Sequence, residues 1–181
     1  MRPRRRRVPD GQDGPAPLTT SPRRLVRPDP EECAAVLALI QAAFAYMEDR
    51  IDPPSSMHRL TPESVAAMAA SAEIWVIGAG AAPDACVFLT PEADRLYLGK
   101  LAVRERARGQ GLGRRLVEHA MVRAAALGLP AVELQTRIEL AENHATFAHM
   151  GFRKVGETAH AGYDRPTSIT MRRDVESPAE S

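Results

Sequence analysis

The sequence predicts a domain of the α/β (α+β) class, a mixed sheet with helices on both faces, in the order β-α-α-β-β-β-α-β-α-β-β. Three observations predict it. Short apolar stretches with strand spacing are bounded by Pro, Gly and Asp. Between them lie stretches whose apolar residues recur every three or four positions, as on one face of a helix. A glycine run, Arg108-Gly109-Gln110-Gly111-Leu112-Gly113, lies between one such strand and a long such helix. At 181 residues and 44% hydrophobic content, the chain can bury one sizeable core.

Each element has a local reason. Arg23 to Arg27 reads as a first strand, ended by Pro28. Pro30-Glu31-Glu32 opens a helix with Asp29 as its cap, since a carboxylate accepts from the free N–H groups of a first turn and proline's fixed φ suits the first helical position. Cys33, Val36, Leu37, Ile40, Phe44 and Met47 mark that helix's buried face. Asp52-Pro53-Pro54-Ser55-Ser56 breaks the chain into a loop. Thr61-Pro62 repeats the cap-and-proline signal for a second helix reaching about Ser71. Glu73 to Ile77 and Ala85 to Thr90 form a hairpin around a Gly78–Pro83 turn. Arg95 to Val103 is a strand feeding the glycine run. Leu112, Leu116, Val117, Ala120, Met121, Ala124 and Leu127 then keep helical spacing until Gly128 and Pro130 stop them. Ala131 to Thr136 is the next strand, and Asn143 to Met150 a short helix ending at Gly151-Phe152. Lys154 to His160 and Thr167 to Arg172 close the chain as a strand pair.

Composition excludes several classes. No run approaches the ~20 apolar residues that span a bilayer, and no secretory apolar core follows the basic start, so a cytoplasmic location without membrane contact is expected. Cys33 and Cys86 lack metal-ligand spacing and fall at apolar positions, which predicts buried free thiols and no metal. The net charge of +1 hides an asymmetry, because residues 1 to 27 carry eight arginines against Asp10 and Asp13. Residues 1–22 thus read as a disordered basic, Pro-rich arm, 23–174 as the domain, and 175–181 as a flexible tail. No aromatic residues interleave with the arginines, so the arm reads as solvated rather than as a nucleic-acid contact. A homodimer stays open.

The glycine run carries the chemistry. Glycine allows positive φ and close approach of a ligand to the backbone. A helix N-terminus offers unpaired N–H donors and a partial positive charge, which suits a phosphate. The spacing rejects G-x-G-x-x-G, because Arg114 or Leu116 falls in the third glycine place, and rejects G-x-x-x-x-G-K-[ST], because Arg114 and Arg115 stand where its final glycine and lysine belong. What fits is R-x-x-G-x-G: Arg108, Gly111 and Gly113.

That pattern resembles the coenzyme A pyrophosphate loop of the GCN5-related N-acetyltransferase (GNAT) superfamily. The preceding strand, the following helix and the downstream Gly151-Phe152 resemble the family too, over about residues 23 to 173 and most strongly 96 to 155. The resemblance implies a mostly antiparallel sheet and transfer of an acetyl group from acetyl-CoA to an amine. It implies that Gly109, Gln110, Gly111, Leu112, Gly113 and Arg114 hold the pyrophosphate, with Arg108 and Arg114 adding charge. It also implies that backbone groups of Leu101, Ala102 and Val103 clamp the pantetheine arm as an added strand and polarise the thioester carbonyl.

The chain departs from the family where a proton must be returned to the leaving thiolate. Many members have a tyrosine four residues before the glycine of Gly-Phe; here that residue is Phe147. Tyr163 and His149 are substitute candidates, and a thiolate of pKa ~8.5 can also leave unaided. Leu140 stands where the family often has a coenzyme-contacting asparagine; Asn143, three residues on, either reaches the coenzyme or caps the next helix. Glu133 and Gln135 share one strand face, where Glu133 is a candidate base and a salt-bridged strand residue is the alternative. The Asp49–His58 and His160–Arg165 loops should form the acceptor mouth, whose carboxylates would suit a cationic amine. Three functions stay open: a small-molecule amine acetyltransferase, one acting on a protein N-terminus or lysine, and an acyl-CoA-binding module without turnover.

Overall fold

The computed structural model describes residues 20–79 and 81–176. The expected arm lies almost wholly, and the expected tail largely, outside the described residues. Among them the elements follow the predicted order: β1 (Arg23–Leu25), α1 (Pro30–Phe44), α2 (Pro62–Met68), β2 (Glu73–Ile77), β3 (Ala85–Pro91), β4 (Leu96–Val103), α3 (Leu112–Ala126), β5 (Ala131–Arg137), α4 (Ala141–His149), β6 (Arg153–Thr158) and β7 (Ser168–Asp174). The strands form one seven-stranded sheet in the order β1-β2-β3-β4-β5-β7-β6. Every neighbouring pair is antiparallel except β4 and β5.

The caps form as the sequence predicts. The Asp29 side chain accepts the Glu32 N–H at 2.8 Å, while Glu32 accepts the Asp29 N–H at 3.2 Å, closing a capping box on α1. Thr61 and Ser64 do the same for α2. Element ends moved by a few residues. The α1 pattern was expected to run to Met47, but Ala45–Met47 tightens into a 3-10 turn before Asp49 takes a φ of 62° and turns the chain into the loop. The first strand stops at Leu25, because Arg27 adopts a φ of 53°. The expected Lys154–His160 strand ends at Thr158, since the His160 N–H turns to the Thr167 hydroxyl at 2.9 Å.

Two cores sandwich the sheet. On one face, Val87, Leu89, Leu96, Leu98, Val132 and Leu134 pack against Leu116, Val117, Ala120 and Ala124 of α3. On the other, Ile74, Val76, Phe88 and Ala102 pack against Val36, Leu37 and Ile40 of α1 and Val65 of α2. Cys33 and Cys86 are buried free thiols, as predicted. Burial pushes the Cys86 thiol up to about 12, so it stays neutral. At the β2 edge, Glu73 is 6% exposed and accepts from Arg123 at 2.6 and 2.9 Å and from the Trp75 indole at 2.9 Å. The His119 ring meets Trp75 edge-on, with centroids 4.0 Å apart. Among the described residues, no helix is long and apolar enough to cross a membrane, and no three His, Cys, Asp or Glu side chains gather into a metal site.

Two irregularities position the site. β4 carries a bulge: Cys86 pairs Ala102 and Phe88 pairs Gly99, so Val87 faces both Lys100 and Leu101, and Lys100 takes a φ of 50°. β4 also pairs with β5 only at Leu96↔Val132 and Tyr97↔Glu133. Beyond Tyr97 the two strands part, and the rest of β4 loses its neighbour on that side.

Candidate active site

The parting of β4 and β5 and the loop Arg104–Gly111 lie end to end along the chain. Asp84, in the β2–β3 turn, fixes the start of the loop. Its carbonyl accepts the Arg104 N–H at 2.7 Å, and its buried carboxylate meets Arg106 at 3.0 Å and Arg104 at 3.5 Å. Residues Glu105–Ala107 make one 3-10 turn, and then the backbone donors stop finding partners. Among the described residues, none of the N–H groups of Gly109, Gln110, Gly111, Leu112, Gly113 and Arg114 donates to a protein acceptor; the first helical bond of this stretch runs from the Arg115 N–H to the Gly111 carbonyl at 3.0 Å. Gly109 and Gly111 both adopt a φ of 77°, which turns successive N–H groups toward one side as an anion-binding nest. A Cβ at either would meet nothing within 4 Å, so what requires glycine there is the left-handed backbone. Gly113 differs: its φ is ordinary, and a Cβ would only touch Val103 at 3.7 Å.

Two of the expected site residues tie this loop to the neighbouring helices. Arg108 crosses to the end of α1, where its guanidinium donates to the Ala43 carbonyl at 3.5 Å, and Arg114 donates to the His149 carbonyl at the end of α4 at 3.4 Å. Asn143 is not a cap: Leu140 holds that position and α4 begins at Ala141, which sets Asn143 inside the first turn. Its amide instead donates to the Tyr46 hydroxyl at 3.1 Å, across the gap between the 3-10 turn after α1 and the start of α4. Phe147, one turn further along α4, stacks edge-on against Phe152 with centroids 5.9 Å apart. The His149 ring bonds the Ala145 carbonyl of its own helix at 2.7 Å.

The two expected mouth loops do come together. The Tyr163 hydroxyl donates to Asp52 at 2.5 Å, and Arg165 reaches the other carboxylate oxygen at 2.9 Å. The hydrogen bond to the ionised Asp52 holds the Tyr163 phenol above its ordinary pKa, so it keeps its proton. The α1–α2 loop is further strapped to the end of β5: Arg137 donates to the Pro53 carbonyl at 2.6 Å, and the Asp52 N–H to Glu139 at 3.3 Å. Arg50 pairs with Glu142 at 2.6 Å. Within the loop a cavity of about 320 Å³ is lined by Met47, Glu48, Asp49, Ile51, Pro54, Ser55 and His58.

Glu133 stands apart from these loops. It lies beside Tyr97, where β4 and β5 are still paired, and its carboxylate is shared by Arg95 at 3.3 Å and Arg172 at 3.5 Å. That is the geometry of the salt-bridged strand residue rather than of a free base. Sequence reasoning missed Tyr46, Arg137 and Lys100. Only a bulge, a strap and a long-range contact bring them to the site, and none of these has a local signature.

A mostly antiparallel sheet that splits at one parallel pair, with a glycine loop of unpartnered N–H groups at the split, agrees with the class that the sequence resembles, the acyl-CoA-dependent acyltransferases. Residues 38–152 match the model of the acetyltransferase (GNAT) family, and the chain belongs to that family. It is an acetyltransferase, and family membership implies an acyl-CoA co-substrate. Comparison with curated protein sequences returns no match. Among solved structures the chain is similar to aminoglycoside 6'-acetyltransferase type Ii, with 18% identity over 87% of this chain and 98% of that one and a TM-score of 0.67. It is also similar to a GNAT-family acetyltransferase from Staphylococcus aureus Mu50, with 10% identity over 86% and 100% of the two chains and a TM-score of 0.65. A third is the IAA acetyltransferase from Bacillus cereus ATCC 14579, with 18% identity over 84% and 97% and a TM-score of 0.58.

Proposed function

We propose that the protein transfers an acetyl group from acetyl-CoA to the primary amine of a small molecule by direct attack on the thioester. The observation that carries this reading is the row of six unpartnered N–H groups from Gly109 to Arg114, next to a strand whose edge is free. The nest takes the pyrophosphate, with Arg108 and Arg114 beside it. The pantetheine arm then lies along Leu101, Ala102 and Val103 as an extra strand, with Asn143 within reach. A backbone N–H near Leu101 polarises the carbonyl. The neutral amine nitrogen bonds to the carbonyl carbon, the C–S bond breaks, and the amine's proton leaves as the thiolate gains one. The products are an acetamide and free coenzyme A.

Of the two catalytic candidates, Tyr163 is favoured, because it holds a proton at the acceptor mouth, whereas Glu133 is held by two arginines. The open cavity of about 320 Å³ in the α1–α2 loop is of a size for a small acceptor, and two of the structurally similar enzymes are named for small molecules. Release of free thiol from acetyl-CoA across a panel of amines and short peptides tests the reading. Turnover with peptides but no small amine would transfer it to the protein-acetylating alternative, and no turnover with any amine would overturn it.

A further inference from the structure

The charges around the acceptor mouth are unevenly satisfied. Asp52 is bound by Tyr163 and Arg165, Glu142 by Arg50, and Glu48 faces His58 at 3.7 Å. Asp49 and Asp164 have no ion pair but are exposed, where water solvates a carboxylate at no cost. Lys100 is the opposite case. Its side chain is half-buried, and among the described residues its ammonium, which still meets solvent, has neither a hydrogen bond nor an ion pair; its one neighbour of note is the face of the Phe88 ring at 5.7 Å. Desolvation accordingly pushes its pKa down. The backbone that presents it is strained, with a φ of 50° at the bulge of β4. A half-buried cation with no carboxylate partner, held by the bulge at the open edge of β4, is free to meet an anionic ligand.

The place of Lys100 says which ligand. Phe88 belongs to the core under α1, so Lys100 projects to the α1 face of the sheet, away from the α3 core. Arg137 lies on the same face of β5, opposite in phase to the buried Leu134 and Thr136, and bonds the Pro53 carbonyl of the loop that covers this face. Its Nε is buried without a hydrogen-bond partner, 3.9 Å from the Glu139 Oε2, which also lacks one, so Glu139 balances this charge while the Nε hydrogen stays unused. Two cations with unused donors therefore flank the gap where β4 and β5 part.

We propose that the acceptor is an amine that also carries a carboxylate, as an amino acid does, and that Lys100 is the residue that selects it, with Arg137 beside it. This rests on the small-molecule reading above. It replaces the expectation of a purely cationic amine with an acceptor that carries both charges: Asp49 and Asp164 are unpaired on the side of the ammonium group, and Lys100 is unpaired for the carboxylate.

Thiol release with matched sets tests the proposal: amino acids, their amides, and the amines left by removing the carboxylate. The wild type should favour the acids at least ~10-fold in kcat/KM. Lys100→Met should raise KM for the acids by a similar factor with little change in kcat, leave the amides unaffected, and keep the melting shift with acetyl-CoA; Lys100→Arg should recover part of the preference. Equal use of acids and amides overturns the proposal but leaves the acetyltransferase reading intact, as does a Lys100→Met variant that loses coenzyme affinity or kcat alone. Binding of N-acetyl amino acids and their amides to the coenzyme A-loaded protein, followed by calorimetry, decides the point without turnover. Acids that bind no better than amides, or do not bind at all, overturn it.

Discussion

The glycines of the nest separate two reasons for being glycine. Gly111 at a φ of 77° is held by backbone handedness, and forcing a β-branched residue into that region costs more than the ~1–2 kcal/mol typical of a left-handed L-residue. Gly111→Val should therefore lose both stability and coenzyme affinity, with affinity falling further. Gly113→Ala is the sharper case. Its Cβ makes only an ordinary contact with Val103, so the melting temperature should hold while the acetyl-CoA dissociation constant rises, because the methyl stands where the phosphate approaches. Calorimetry beside thermal unfolding reads both. Tyr163 and Phe147 form a second pair. If Tyr163 returns the proton, Tyr163→Phe should lower kcat by ~10²–10⁴-fold. A change in KM alone would reduce it to a prop for Asp52. Phe147→Tyr should retain activity, since it adds only a hydroxyl to a partly buried ring whose edge-on contact with Phe152 is kept.

At the scale of elements, the clamp between α3 and β2 should govern acid stability. Arg123, through its hydrogen bonds, holds the Glu73 carboxyl below its ordinary range. The stability it supplies is thus complete above the unfolded value of 4.5 and lost as pH falls through the lower folded one. Burial, then Arg123, lowers the His119 pKa, so folding favours the neutral ring; stability is full above the unfolded 6.5 and declines as pH falls below it. Both act in the same direction. Glu73→Gln should cost about 1.5–3 kcal/mol at pH 7, a drop of roughly 3–12 °C in melting temperature, and the deficit should shrink below pH 4. His119→Gln should flatten the wild-type slope just below pH 6.5. The legibility of the chain divides at this same scale. Caps, prolines and the glycine run act within four or five residues, so the element order and the glycine loop at the start of α3 could be read directly. Helix α4 began two residues early because Leu140, which has no capping side chain, starts it. The Glu73–Arg123 clamp, the Asp52–Tyr163 contact and the β4 bulge join residues far apart in sequence, and periodicity carries no record of them.

For the whole molecule, acetyl-CoA at 100 times its dissociation constant should stabilise the fold by ~2.7 kcal/mol, visible as a higher melting temperature; no shift at millimolar ligand would remove the nest from the binding site. The sheet that gains this stability is held at its middle by only two residue pairs, Leu96↔Val132 and Tyr97↔Glu133. Strands β1 to β4 form one hydrogen-bonded block and β5, β7 and β6 another, so a co-substrate bound along β4 as proposed would be the seam between them. Without it, the β5-facing amides of Gly99 to Val103 should exchange their hydrogens with deuterated solvent much faster than those of β3, and bound co-substrate should slow them. On that reading the sheet would be complete only while the protein is loaded, and each product release would be a brief loosening of its centre.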